Sequence, residues 1–385
     1  MSQTIYRQAK RIIPGGTQLL SKRPEMFSPD NWPAYYKAAK GAEIWDVNDR
    51  KFLDMSIMAV GACILGYADS DVDDAVIAAI KNGVNSSLNC TEEVSLAERL
   101  IELHPWFGGV RYCRSGGEAM SIAVRIGRAY SNRDVVLFSG YHGWCDWYLA
   151  ANLADDKALD GQLMPGLSPS GVPRGLAGSS APFDITNIDS LVEAIESRSG
   201  EVGVVVLEPA RGVAVSEECL KNIRSVCDEH NIVLIYDEIT SGFRLCPGGM
   251  HRQHSVHPDI AVLAKSIANG YPMAVVMGTE KVMSAAQDTF ISSTNWTDRT
   301  GPVAALATIE KYTKTSTEVW IAERGNQVKN LWLSEASECG IEIEVSGIAS
   351  LPAFSFGGKL APHLNALFVS LMLENNILGF RQFKP

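Results

Sequence analysis

The sequence predicts an α/β protein with a mostly parallel sheet and a second, smaller α+β domain. Three observations carry that expectation. Short apolar runs recur between residues 100 and 280, at Val135-Val136-Leu137-Phe138, Val202 to Leu207, Ile232 to Tyr236, Ile260 to Ala264 and Ala274 to Met277. Amphipathic segments of helical period separate them, at Glu118 to Tyr130, Ile188 to Glu196 and Glu217 to His230. The runs are apolar at every position rather than alternating, as expected of strands covered by helices on both faces.

The two ends of the chain read differently. The first 50 residues are rich in Pro, Gly and aromatics, and close on Gly41-Ala42-Glu43-Ile44-Trp45-Asp46-Val47-Asn48-Asp49-Arg50, a hairpin pattern around Asn48-Asp49. Long helical periodicity runs from Val303 to Tyr312 and from Thr317 to Ser337, followed by mixed strand and loop. Residues 1–50 and 301–385 are therefore assigned to the small domain and 51–300 to the large one, a division suited to 385 residues. No internal repeat or low-complexity linker interrupts it.

Composition excludes several classes of function. A net charge of −10 with no basic stripe argues against nucleic acid. No apolar run reaches membrane-spanning length, and Met1-Ser2-Gln3-Thr4 leads into a polar, basic segment without a signal region. The eight cysteines, at 63, 90, 113, 145, 219, 227, 246 and 339, form no Cys-x-x-Cys pair, which suits reduced thiols in a cytoplasmic protein. His251, His254 and His257 have a spacing that suggests metal, but they lie in a polar segment ending at Pro258 and are expected in an exposed loop, with no metal. No Gly-x-Gly-x-x-Gly follows an early strand, so a nucleotide-binding dehydrogenase is disfavoured.

In parallel sheets, ligands gather beyond the carboxyl ends of strands. After Val110 to Cys113 comes Arg114-Ser115-Gly116-Gly117-Glu118, opening a helix. Its glycines let backbone amides approach an anion at the positive end of the helix dipole, although a merely capped turn reads the same way. The next strand ends in Ser139-Gly140-Tyr141-His142-Gly143, an aromatic flanked by glycines that can stack on a flat ring. Val202 to Leu207 delivers Glu208-Pro209, either a cap or a ligand-facing carboxylate. Ile232 to Tyr236 ends in Asp237-Glu238, two acids that need a cationic partner if buried. Ile260 to Ala264 runs into Lys265, a candidate for a depressed pKa and an imine-forming amine, or else a lysine snorkelling to solvent. Phosphate cradle, stacking aromatic, buried acid and imine-forming lysine are together what pyridoxal 5'-phosphate requires.

Gly116-Gly117-Glu118-Ala119, Tyr141-His142-Gly143, Glu208-Pro209, the run Asp237-Glu238-Ile239-Thr240-Ser241-Gly242-Phe243-Arg244, and Lys265 resemble the class III aminotransferases of fold type I. The lysine 28 positions after the aspartate is specific to that class. The similarity runs from Pro14-Gly15-Gly16 to Gly301-Pro302, and the subgroup it most resembles is glutamate-1-semialdehyde 2,1-aminomutase with its aminotransferase relatives, which share Gly41 to Val47 and Ser170-Gly171-Val172-Pro173. The resemblance implies a large domain around a mostly parallel seven-stranded sheet. It also implies that Lys265 attaches the cofactor and that Asp237 partners the pyridine nitrogen. Ser115, Gly116 and Gly117 would bind the phosphate, Tyr141 would stack on the ring with His142 beside it, and Glu208 would lie near the cofactor's hydroxyl side. Thr297 matches a threonine that reaches the phosphate of the neighbouring subunit, so a homodimer with shared sites is implied.

The departures bear on substrate. The aminomutase follows Pro-Gly-Gly with a Ser and an Arg resembling a carboxylate clamp, whereas this chain has Leu19 and Lys22 at those positions. A lysine cannot make the bidentate guanidinium grip. Gly-Lys at the cofactor lysine is here Ala264-Lys265, and Gly-Thr at the phosphate is Gly116-Gly117; both leave cofactor binding intact. Where the resembling proteins continue through further strand and helix, this chain reads Lys384-Pro385, so either a shortened chain or a trimmed small domain is expected. The expected activity is amino transfer from a small amino donor to a small ketone or aldehyde, in a sugar, capsule or antibiotic pathway. Intramolecular transfer by a semialdehyde aminomutase is the alternative, and a non-catalytic scaffold the remote one.

Overall fold

The computed structural model describes residues 1–162, 166–198 and 200–380; the segment read above as the end of a trimmed small domain, 381–385, lies outside them. Two compact units emerge, residues 1–74 with the segment from 311 onward, and residues 75–310. The sequence placed the divisions near 50 and 300; both structural boundaries instead fall inside helices, Ser70–Lys81 and Thr300–Thr315.

The smaller unit opens with β1 (Tyr36–Lys40), β2 (Glu43–Asp46) and β3 (Lys51–Met55) in antiparallel succession. The Asn48-Asp49 hairpin forms as expected. Asp46 Oδ1 accepts the Asn48 and Arg50 amides at 2.8 and 3.0 Å, and Asp49 takes the left-handed φ of 61° that short polar side chains tolerate.

The larger unit holds β4 (Gly109–Cys113), β5 (Val135–Ser139), β6 (Ser180–Pro182), β7 (Val202–Leu207), β8 (Val233–Asp237), β9 (Ile260–Leu263) and β10 (Ala274–Gly278). They form one seven-stranded sheet in the order β4-β10-β9-β8-β7-β5-β6. Pairs from β9 through β6 are parallel, while β10 runs antiparallel to both β4 and β9. All six residues of β7 are buried, as are all five of β8 and of β10, which is why these runs carry no polar alternation. Each fully buried Val or Leu contributes about 1.5–3 kcal/mol of transfer free energy, before the chain entropy lost on ordering it.

One face of this sheet packs on the helix Gly116–Ser131 through Ala119, Met120, Ala123, Ile126 and Gly127. The other packs on the helices Ile188–Glu196 and Glu217–Glu229 through Leu191, Ile195, Leu220, Ile223 and Cys227. At Gly127 an added Cβ would lie 2.8 Å from Val204 Cγ2, so helix and sheet touch backbone to side chain. Gly127→Leu is therefore expected to destabilise by about 1–3 kcal/mol through overpacking. Denaturant midpoints at unchanged m-value measure this, and an unaltered midpoint would contradict the close approach.

The chain returns to the smaller unit with the helix Thr317–Glu338, an antiparallel pair β11 (Ile343–Ser346) and β12 (Ala353–Phe356), the helix Ala361–Glu374, and β13 (Ile377–Gly379), which joins β3 in parallel. Phe27, Trp32, Phe52, Val369, Leu373 and Leu378 make its core, with Phe27 stacked on Trp32 at 4.1 Å.

Candidate active site

All the groups described next lie in the larger unit, beyond the carboxyl ends of its parallel strands. After β4, Ser115 caps the helix Gly116–Ser131: its Oγ accepts the Glu118 amide at 3.4 Å, and the Glu118 carboxylate accepts the Ser115 and Arg114 amides at 2.9 and 3.1 Å. The amides of Gly116 and Gly117 have no acceptor among the described residues. A Cβ on Gly116 would meet Ile239 Cδ1 at 2.9 Å, and one on Gly117 would meet Trp144 Nε1 at 3.1 Å. Only glycine leaves this helix start open to an anion, where the dipole and free amides favour negative charge.

Beyond β5, Gly140 has a φ of 115° and sits so close to Glu208 that a Cβ would come within 2.6 Å of its carboxylate. The chain then turns to donate the Tyr141 amide to Glu208 Oε2 at 2.9 Å. His142 is buried, with Nε2 3.2 Å from the Ser139 carbonyl and Nδ1 2.8 Å from Asp237 Oδ2. A carbonyl only accepts, so Nε2 carries a hydrogen, and a further proton must lie between Nδ1 and the carboxylate. Asp237, the last residue of β8, is 2% exposed and also accepts the Ile239 amide at 3.0 Å. The buried acid thus has both carboxylate oxygens hydrogen-bonded, as its burial demands.

Lys265 follows β9 with a left-handed φ of 50° and donates its Nζ to Thr240 Oγ1 at 2.9 Å. Its amine is pushed down to about 8, by burial first and by the nearby Arg211 guanidinium second. Arg211 grips Glu208 through both nitrogens, Nε at 2.8 Å and Nη2 at 2.6 Å to Oε1. The same guanidinium lies 5.6 Å from the Tyr141 ring centre and 3.3 Å from Thr240 Oγ1. One hydroxyl therefore faces both cations.

Ser115 to Gly117, Tyr141, His142, Glu208, Asp237 and Lys265 are brought together in this way. Thr297 stands apart: its exposed hydroxyl donates to Thr294 O at 2.9 Å and Asn85 Oδ1 at 3.3 Å, beside a polar cavity of about 260 Å³ walled by the 82–91 loop and Arg299. Arg211 and Thr240 were missed as site residues. A cation three positions after a strand-end carboxylate was the available signal for Arg211, and Thr240 stood unassigned inside the Asp237 to Arg244 motif. The exposed loop expected for the three histidines is corrected at His251, which is fully buried because Glu238 supplies a partner for it. Among the described residues, no group of three His, Cys, Asp or Glu side chains is placed to hold a metal, and the eight cysteines are all free.

Residues 27–335 match the aminotransferase class-III family. A 3-aminobutyryl-CoA aminotransferase from Cloacimonas acidaminovorans is 29% identical over 363 residues, 92% of this chain and 83% of the relative. A glutamate-1-semialdehyde 2,1-aminomutase from Francisella philomiragia is 32% identical over 337 residues, 86% of this chain and 76% of the relative. Among solved structures, an omega-transaminase from Sphaerobacter thermophilus superposes with a TM-score of 0.81 at 28% identity, covering 93% of this chain and 83% of that one. The residues present fit the family's cofactor: free amides at a glycine helix start for its phosphate, an acid and a histidine sharing a proton for its ring nitrogen, and a desolvated lysine for its aldehyde. The chain belongs to the class-III aminotransferases and is a pyridoxal-phosphate-dependent enzyme of that family.

Proposed function

We propose that this aminotransferase moves an amino group from a small amino donor to a small ketone or aldehyde, with Lys265 and Asp237 as its catalytic residues. The observation that supports this most directly is the Lys265 amine: half-buried, held on Thr240, and depressed to about 8, so that an appreciable fraction is neutral near physiological pH. When bound, the cofactor supplies the electron sink that makes the amino-bearing carbon acidic. Lys265 would serve as the base that moves a proton between carbons, a task suited to an amine whose pKa lies near the working pH. Asp237, braced by His142, fixes a proton at the ring-nitrogen position. Ser115, Gly116 and Gly117 would hold the cofactor's phosphate, and Tyr141 would stack on its ring. Absorbance of the purified protein, borohydride reduction and peptide mass mapping test the reading: an adduct on Lys265 is expected, and its absence from a protein supplied with cofactor would overturn it.

Glu208 and Arg211 set the substrate side. The pair is internally neutralised, which suits an uncharged carbonyl, while Arg211 can receive a donor carboxylate in exchange for Glu208. Arg211→Gln is expected to lower kcat/KM for amino-acid donors by roughly tenfold to a hundredfold, with amines lacking a carboxylate much less affected. Equal losses for both donor classes would count against this role.

Leu19 and Lys22, in place of the aminomutase clamp, support intermolecular transfer in a sugar, capsule or antibiotic pathway. A donor and acceptor panel decides, and reaction with glutamate semialdehyde alone would favour the aminomutase. The homodimer is supported by Thr297, exposed with no contact to the cluster, and by Trp144, 71% exposed beside Gly117. Sedimentation equilibrium tests it. No helix among the described residues is long and apolar enough to cross a membrane; the free thiols support a cytoplasmic location, which fractionation would check.

A further inference from the structure

The residue after Asp237 is a second acid that the chemistry above does not use. Glu238 is fully buried, and its carboxylate collects four donated hydrogen bonds: from His251 Nδ1, from the His251 amide at 3.1 Å, from the Met250 amide at 2.5 Å and from Ser241 Oγ at 2.9 Å. Burial alone would push this carboxyl up; the His251 ring and the donated hydrogen bonds more than reverse that and hold it below the usual range. Gly249 makes room for it, since a Cβ there would come within 2.7 Å of both carboxylate oxygens.

His251 is equally enclosed. Its ring stacks on His104 at 5.0 Å and meets Trp106 and Phe107 at 5.7 Å, and its Nε2 has no partner among the described residues. His104 and His257 are the other titratable groups that face it, with Arg252 beside His104. His104 is pushed down to about 3, by burial first and by His251 second, and donates Nδ1–H to Leu100 O at 2.7 Å. It is a neutral wall for the pair.

What this pair spans is the segment between β8 and Met250. Glu238 N donates to Val262 O at 2.9 Å and Glu238 O accepts the Gly242 amide at 2.7 Å, so its backbone is pinned to β9 and to the turn. Its side chain pins the far end of the same segment at Met250 and His251. Thr240, whose hydroxyl faces Lys265 Nζ and Arg211, sits in the turn so enclosed. Asp237 is the adjoining residue on the strand.

We infer that Glu238 and His251 are positioning residues for the reaction, a buried acid–imidazole clamp that holds Thr240 against the Lys265 amine and Asp237 in register at the end of β8. The inference rests on the assignment of Lys265 and Asp237 made above. The clamp works without touching substrate or cofactor, by keeping a desolvated turn closed over the lysine. Loosening it admits water to Lys265 and returns the amine toward its ordinary pKa.

The test reads Lys265 in the cofactor-free protein, through the pH dependence of its labelling by a water-soluble amine reagent mapped by mass spectrometry. Glu238→Gln keeps the shape but sets an amide donor against the donors at Met250 and Ser241. It is expected to raise the Lys265 pKa by about half a unit or more and to lower kcat of the loaded enzyme about tenfold with KM little changed. His251→Leu is expected to reproduce the shift, and His251→Asn, which can still donate to Glu238, to restore most of it. If Glu238→Gln does not fold, the two His251 variants decide. A Lys265 pKa within about 0.2 units of wild type in Glu238→Gln, or in His251→Leu where the Gln variant does not fold, would overturn the clamp. So would equal behaviour of His251→Leu and His251→Asn. Borohydride trapping on wild-type Lys265 separates this failure from failure of the catalytic reading itself.

Discussion

Lys265→Ala is expected to abolish turnover while leaving the fold intact. The residue lies after β9 beside buried Ala264 and Ile267, and its half-buried side chain donates to Thr240. Removing it takes out a desolvated cation, a change the fold can absorb. The chemistry cannot. Loss of the proton shuttle alone costs about 10²–10⁴-fold, and loss of the attachment point adds to that. Steady-state assays with a good donor and acceptor pair measure it, with small exogenous amines restoring part of the rate. Turnover within tenfold of wild type would remove Lys265 from the mechanism. The same amine leaves a signature on stability. Its pKa is about 8 when folded against 10.5 for the ordinary side chain, so unfolding takes up a proton between those values. The cofactor-free protein should therefore gain stability as pH rises through that window, and Lys265→Ala should lose that dependence.

Asp237→Asn is the second large effect. In the wild type a proton lies between Asp237 Oδ2 and His142 Nδ1, while Oδ1 is held by the Ile239 amide. An asparagine keeps the size but cannot carry the negative charge that stabilises a protonated ring nitrogen in a water-excluded site. A fall in kcat of about 10²–10³-fold is expected, comparable to the loss of one preorganised electrostatic partner elsewhere. His142→Gln, which removes the brace and leaves the acid, should cost less. If Asp237→Asn and His142→Gln lose the same small factor, Asp237 serves only the packing of β8.

Much of this architecture was legible because strand and function coincide. Val202 to Leu207 and Ile232 to Tyr236 are apolar at every position, which marks them as interior strands, and the first polar residues after them, Glu208 and Asp237, are the ones that face the site. Other parts left no local trace. β6 is three residues of Ser-Ala-Pro, too short and polar for a periodicity, and exists because β5 offers it an edge. Arg211, three positions after Glu208, offers no local pattern, and only the folded chain shows its grip on that carboxylate. His251 looked exposed because its neighbours are polar; its buried state depends on Glu238, 13 positions earlier, and on rings from the 104–107 turn. Side-chain pairs across such separations have no spacing rule to betray them.

The position of β4 has a consequence for how the molecule is made. Among the described residues its one neighbour in the sheet is β10, in a register that runs from Gly109 opposite Gly278 to Cys113 opposite Ala274. The strand that leads into the glycine amides is therefore held in the sheet by a strand encoded some 160 residues later. Pairing over such distances is slow, because the loop must close before any contact rewards it. The edge strand that leads into the anion cradle is therefore expected to be among the later parts of the sheet to form, although the helix behind it can already pack on β7, β8 and β9. Cofactor capture is then expected to report on a finished sheet, and a chain interrupted before Ala274, lacking the partner of β4, is expected to bind it poorly.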